Sequence, residues 1–193
     1  MDWQTPEDAV PSAFVTESNR RAISAAPPAS GAWRTGDDPG DRTFVPIGDL
    51  VLESGTTLPG VTIAYESWGE LNADASNAIL VLHALTGDSH VIGHAKAGHP
   101  TGGWWSGLVG EGKVLDPADW FVVAPNMLGG CQGSTGPASA APDGAEWGSR
   151  FPYLSIRDQV DAQRAFSDAI GVTRWAAVMG GSMGGMQAVS YTL

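Results

Sequence analysis

Ser182 lies in the run Gly180-Gly181-Ser182-Met183-Gly184-Gly185, with a glycine two residues before it and another two after. A serine in Gly-x-Ser-x-Gly can act as a nucleophile that carries an acyl group, provided it sits on a sharp strand-to-helix turn. The turn holds the hydroxyl clear of its neighbours, and the small flanking residues let strand and helix close together. By itself the five-residue pattern is weak in a chain with 26 glycines, and a glycine-rich turn with an N-cap serine is the plainer alternative. Acyl transfer also needs donors for the developing oxyanion. The backbone N–H of Met183, at the start of a helix, is one candidate. The loop His83-Ala84-Leu85-Thr86-Gly87 offers the second, through an N–H near Leu85, although taken alone the segment reads as an ordinary strand-to-loop exit.

These residues must be positioned by a sheet. Ala78 to His83, with its continuous Ala-Ile-Leu-Val-Leu run, is expected to be a strand buried on both faces, and Trp120 to Ala124 repeats the type before Pro125-Asn126. Val61 to Glu66 alternates with period two, as a half-exposed strand does. A helix is predicted from Ile156 to Ile170. Ser155 and Asp158 are spaced for a capping box, Ile156, Val160, Phe166, Ala169 and Ile170 fall roughly on one face, and Gly171 is the stop. Trp175 to Met179 is a further apolar strand leading into the serine turn, and Met186 to Val189 can continue as helix. Strand, helix, strand in this order predicts a right-handed parallel crossover in an α/β sheet. Residues 1–44 contain Pro6, Pro11, Pro27, Pro28 and Pro39 with no sustained periodicity, and read as a mobile leader before a domain over 45–193.

A net charge of −11 with no local run of Lys or Arg disfavours nucleic acid and anionic lipid as partners. No apolar stretch reaches the length of a bilayer span, no signal peptide is recognisable, and the single Cys131 gives no sign of an oxidising compartment, so the cytoplasm is expected. Asp88, His90, His94 and His99 invite a metal reading, but their spacing matches no strong zinc signature, and no metal is expected. Cys131 reads as a loop cysteine packed among glycines. Arg150 is a candidate for an anionic substrate group, whereas Arg157 reads as a solvated charge on its helix.

Four segments taken together narrow the possibilities: His83-Ala84-Leu85-Thr86-Gly87-Asp88-Ser89-His90, Asn126 to Pro137, Trp147-Gly148-Ser149-Arg150-Phe151-Pro152, and Gly180 to Gln187. They resemble the homoserine O-acetyltransferase family of methionine biosynthesis, over roughly Val45 to Val189. The resemblance implies the α/β-hydrolase fold, here its N-terminal portion only, a mostly parallel sheet with flanking helices. It implies an acyl-enzyme on Ser182, acetyl-CoA as co-substrate with no cofactor, L-homoserine as acceptor, and oxyanion donors at Leu85 and Met183. A homodimer is the expected assembly of a full-length form.

The order expected in this fold is Ser, then Asp or Glu, then His. All four histidines, His83, His90, His94 and His99, precede Ser182, and Leu193 is the last residue of the sequence. Neither triad partner stands where the pattern calls for it, so the isolated 193-residue chain is expected to be inactive. A fragment, a broken gene product, or a member recruiting an earlier histidine would each account for this. Succinyl-CoA as donor, serine as acceptor, water as acceptor in a hydrolase, and a non-catalytic remnant are the rival functions.

Overall fold

The computed structural model describes residues 31–192. Five strands form one sheet: β1 (Thr43–Val51), β2 (Thr57–Trp68), β3 (Ala78–Leu82), β4 (Phe121–Pro125) and β5 (Ala177–Gly180). Two helices follow the same chain order, α1 (Ile156–Ala169) before β5 and α2 (Met183–Ser190) after it. The sheet order is β1-β2-β4-β3-β5. β3 pairs in parallel with β4 and β5, while β1–β2 and β2–β4 are antiparallel.

β3 forms because five apolar residues in a row can be covered on both sides, and all five are buried. β2 is longer than its alternating core predicts, because Thr57 to Gly60 continues the ladder with β1. That partner strand, whose Gly48 takes φ 79° at a register shift, breaks the period-two pattern and gives no sequence signal of its own. Strand β5 lies at the sheet edge among the described residues and is only half-buried.

α1 begins where the capping box predicts. Ser155 Oγ accepts from the Asp158 N–H at 3.1 Å, and the Asp158 carboxylate accepts from the Ser155 N–H at 2.7 Å. The second Asp158 oxygen also accepts from the Glu53 N–H at 2.7 Å, so the cap ties the helix to the β1–β2 turn. Phe166 is fully buried from α1 against Leu58, Ile63 and Val123 in one core layer, while Ile79, Val81, Val91 and Val122 form a second.

The expected leader boundary at Phe44 does not hold for the described part of that segment. Trp33 packs against Phe44 with ring centroids 4.7 Å apart, and its backbone N–H donates to Cys131 O. Arg42 is buried, donating to Pro39 O, Gly98 O and Gln132 Oε1. Aromatic contact and a buried guanidinium hold residues that proline content alone marks as irregular. Residues 1–30 of the expected leader lie outside the described residues.

Candidate active site

Ser182 joins β5 to α2 with φ 55° and ψ −123°, one of two non-glycine residues with positive φ among those described. Such backbone costs on the order of 1–3 kcal/mol and persists only where the surroundings enforce it. Its exposed side chain makes no capping hydrogen bond, which removes the plain reading of an N-cap serine.

The glycines explain how the turn closes. A Cβ on Gly184 would lie 2.2 Å from Leu82 O, and one on Gly180 would lie 2.6 Å from the Gly184 carbonyl carbon and 2.8 Å from Leu82 O. Backbone of the helix, of β5 and of the end of β3 meets at this point with no room for a side chain. Gly181, by contrast, would meet nothing within 4 Å.

Leu85 and Met183 both line a cavity of about 580 Å³, together with His83, Met127, Phe151 and Leu154. The two predicted donor residues therefore converge on one space beside the serine turn. Met183 N–H is at the first position of α2, where no intrahelical acceptor exists. Cys131 also lines this cavity and is exposed, not packed among glycines as expected. Arg150 is not part of the cavity wall. Its guanidinium sits on Asp143 at 2.6 Å, on the surface, and also donates to Glu146 O, so the anion contact expected of it is taken by the protein. Exposed Arg157 is the solvated charge that its place on α1 predicts.

The cavity walls are braced by buried polar side chains. Gln159 of α1 holds Leu128 from both sides, accepting from its N–H and donating to its carbonyl. Gln163 donates to Gln187 Oε1 of α2 at 2.5 Å, and Gln187 donates to Met127 Sδ at 3.1 Å. Asn126 holds Ser89, accepting from its N–H at 2.7 Å, and also donates to Gln132 O. Sequence reading missed these braces, because a lone Gln or Asn on a helix or loop carries no pattern.

His90 and His99 do come together, but with Glu66 and Asp41 and not with Asp88 and His94. These four offer ligand atoms within 4.8 Å of one another. The facing atoms are engaged in hydrogen bonds. Glu66 accepts from Ser89 Oγ at 2.8 Å and pairs with His90 Nδ1 at 3.0 Å, and His99 Nε2 accepts from the Asp41 N–H at 2.8 Å. The two imidazoles stack with centroids 3.9 Å apart and 12° between planes. Burial pushes the His99 imidazole below its ordinary pKa, against the raising effect of Glu66. The cluster is built as a hydrogen-bonded core joining β2 to the loops after β3.

His83 is equally committed. Met127 N–H can only donate, so Nε2, 3.1 Å away, carries the lone pair; Ala84 O can only accept, so Nδ1, 2.7 Å away, carries the proton. Burial lowers its pKa and favours this neutral form. With both nitrogens occupied, His83 is no base for Ser182.

A family profile described as alpha/beta hydrolase fold matches residues 77–193. The chain belongs to the α/β-hydrolase fold family. Within it, the sequence is 61% identical to a homoserine O-acetyltransferase of Leifsonia xyli subsp. xyli over 100% of this chain and 48% of that protein. It is 62% identical to the homoserine O-acetyltransferase of Thermobifida fusca over 85% of this chain and 44% of that one. The crystal structure of homoserine O-acetyltransferase from Bacillus anthracis superposes with a TM-score of 0.70 at 34% identity, covering 78% of this chain and 42% of that chain. Esterase E22 superposes with a TM-score of 0.71 at 32% identity over 78% of this chain and 43% of its own. The chain thus spans about half the length of the curated relatives it matches. No helix among the described residues is long and apolar enough to cross a membrane.

Proposed function

We propose that this chain supplies the nucleophile and oxyanion hole of an O-acyltransferase that moves an acetyl group from acetyl-CoA to the hydroxyl of L-homoserine. The observation that carries the proposal is the Ser182 backbone, held at positive φ between two glycines that admit no Cβ, with Leu85 and Met183 beside one cavity. Such a turn is expensive to maintain, and a free hydroxyl at its tip is what the expense obtains. The relatives' name supports the acetyl group and the homoserine acceptor; acetyl-CoA as donor is part of the proposal.

In the first step Ser182 Oγ bonds to the thioester carbonyl carbon, whose π electrons move onto its oxygen between the N–H groups of Leu85 and Met183. Collapse breaks the C–S bond and releases CoA. In the second step the homoserine hydroxyl attacks the acyl-serine, and Ser182 Oγ departs. A base removes the serine proton, delivers it to the departing sulfur, and repeats the exchange in reverse with homoserine. His83 is committed to Met127 N–H and Ala84 O, and the order Ser, then acid, then His expected of this fold leads the proposal to assign that base to the part of the relatives' length that this chain does not span.

The test is acetyl-CoA and L-homoserine given to the protein expressed at the relatives' full length and to the 193-residue chain by itself, with products identified by mass spectrometry. O-acetyl-L-homoserine from the longer protein, abolished by Ser182→Ala, is the expected result, with no turnover by the shorter one. The similarity to esterase E22 favours one second reading, transfer to water. Free acetate without O-acetyl-L-homoserine would establish that reading in place of the first.

A further inference from the structure

Ala84 O and Leu85 N–H belong to the same peptide group, and that peptide is pinned from one side. Ala84 O accepts from His83 Nδ1 at 2.7 Å and from Gly87 N–H at 2.9 Å. The ring making the first bond is fixed in turn by Met127 N–H on its other nitrogen. Met127 is itself bonded by Gln187 of α2, the helix that begins at the serine turn. Leu85 N–H finds no acceptor among the described residues. A carbonyl with two donors makes its own peptide N–H a stronger donor, because hydrogen bonds along one peptide polarise each other.

We propose that His83 is a positioning residue for acyl transfer: its neutral imidazole, protonated on Nδ1, orients and polarises the Ala84–Leu85 peptide so that Leu85 N–H is presented to the developing oxyanion. This rests on the function proposed above only for the identity of the anion. The buried imidazole, which lines the cavity yet has no nitrogen free for a substrate, then acts on the reaction through its neighbour's amide. It also couples the two halves of the oxyanion hole. One ring nitrogen sets the peptide of Leu85, and the other reaches through Met127 and Gln187 to the helix whose first N–H is that of Met183.

The two ring nitrogens can be replaced separately. His83→Asn places an amide N–H where Nδ1 was, and so keeps the bond to Ala84 O. His83→Gln places an amide oxygen near Nε2, which keeps Met127 and loses Ala84, and His83→Leu loses both. The measurement on the 193-residue chain is nitrogen NMR of the His83 ring and of the Leu85 amide. The expected results are a protonated Nδ1 with a bare Nε2 in the natural chain, and a Leu85 amide nitrogen shift that is kept in His83→Asn and moves in His83→Gln and His83→Leu. Should His83→Leu not fold, the Asn and Gln variants decide the matter. In the protein at full length, acylation of Ser182 by p-nitrophenyl acetate is expected to slow by about tenfold to a hundredfold in His83→Gln at little changed KM, and by less in His83→Asn. A ring protonated on Nε2, a Leu85 shift indifferent to the substitution, or equal acylation rates in both variants would overturn the proposal. If the NMR results hold but the natural full-length protein transfers no acyl group, the transferase reading falls and the positioning of the peptide stands.

Discussion

Gly184→Ala tests the reason for the serine turn more sharply than any change to the serine. In the first turn of α2, alanine should ordinarily stabilise the helix by about 0.5–1 kcal/mol, and Gly184 carries no positive φ to forbid it. The added Cβ would stand 2.2 Å from Leu82 O where contacts under 3.0 Å essentially never occur, so α2 must retreat from β3 by roughly 0.8 Å. Overpacking of this kind costs about 3 kcal/mol. Set against the propensity gain, the net loss is about 2 kcal/mol, or about 4–8 °C in Tm for a domain of this size. The same retreat moves Ser182 relative to Leu85, and a misplacement near 1 Å costs roughly a hundredfold in rate. Urea unfolding followed by tryptophan fluorescence gives the first quantity and acyl-serine formation in the full-length protein the second. Gly181→Ala is the control, because its Cβ meets nothing within 4 Å, and it should stay within about 0.5 kcal/mol of the natural chain. If the two variants unfold at the same urea concentration, close approach is not what glycine provides at position 184.

Ser182→Gly should raise stability by about 1 kcal/mol while abolishing acylation, because glycine accepts φ 55° without the strain that serine bears there; an unchanged or lower unfolding midpoint would argue against strain. Glu66→Ala strands the His90 ring N–H and the Ser89 hydroxyl in the interior, at about 3 kcal/mol. A loss under about 1 kcal/mol by chemical denaturation would show that the carboxylate is not the hub of that network. Stability should fall as pH drops below the ordinary histidine value of 6.5. Burial lowers His83 and His99 in the folded chain, so the unfolded chain binds protons there that the folded chain does not. Unfolding midpoints compared at about pH 7.5 and about pH 5.5 read this out, and His83→Gln should reduce the difference.

The parallel part of the sheet was legible because burial on both faces demands unbroken apolar runs, and β3 and β4 carry that demand openly in their sequences, while α1 was legible from its capping box and one apolar face. The serine turn was legible for a related reason, since two backbones in contact leave glycine as the sole occupant of positions 180 and 184. Strand β1 was not, because its register shift at Gly48 scrambles the alternation on which such a reading depends. The leader boundary failed where a single buried arginine and one aromatic pair overrode a proline-rich composition. In the site, the motif brought Leu85 and Met183 to one cavity, but the orientation of the Ala84–Leu85 peptide could not be read from it. It follows from a histidine whose partners come from its own neighbour and from Met127, 44 positions away. Arg150 shows the converse limit, an arginine in a suggestive segment that spends its charge on Asp143.

The pairing of β3 with β5 also sets an order in time. The β1–β2 hairpin closes between Val51 and Thr57, whereas the β3–β5 ladder must bring Ile79 to Ala177 across about a hundred residues. Loop-closure entropy alone sets these events about 2.5 kcal/mol apart, and long-range parallel pairing is intrinsically slow. The turn at Ser182 follows the far end of that ladder, so its strained backbone depends on the pairing that spans the longest stretch of sequence among the five strands. Under the function proposed above, a nascent chain would present the Ser182 hydroxyl on its turn only after the ladder of β3 with β5 has closed.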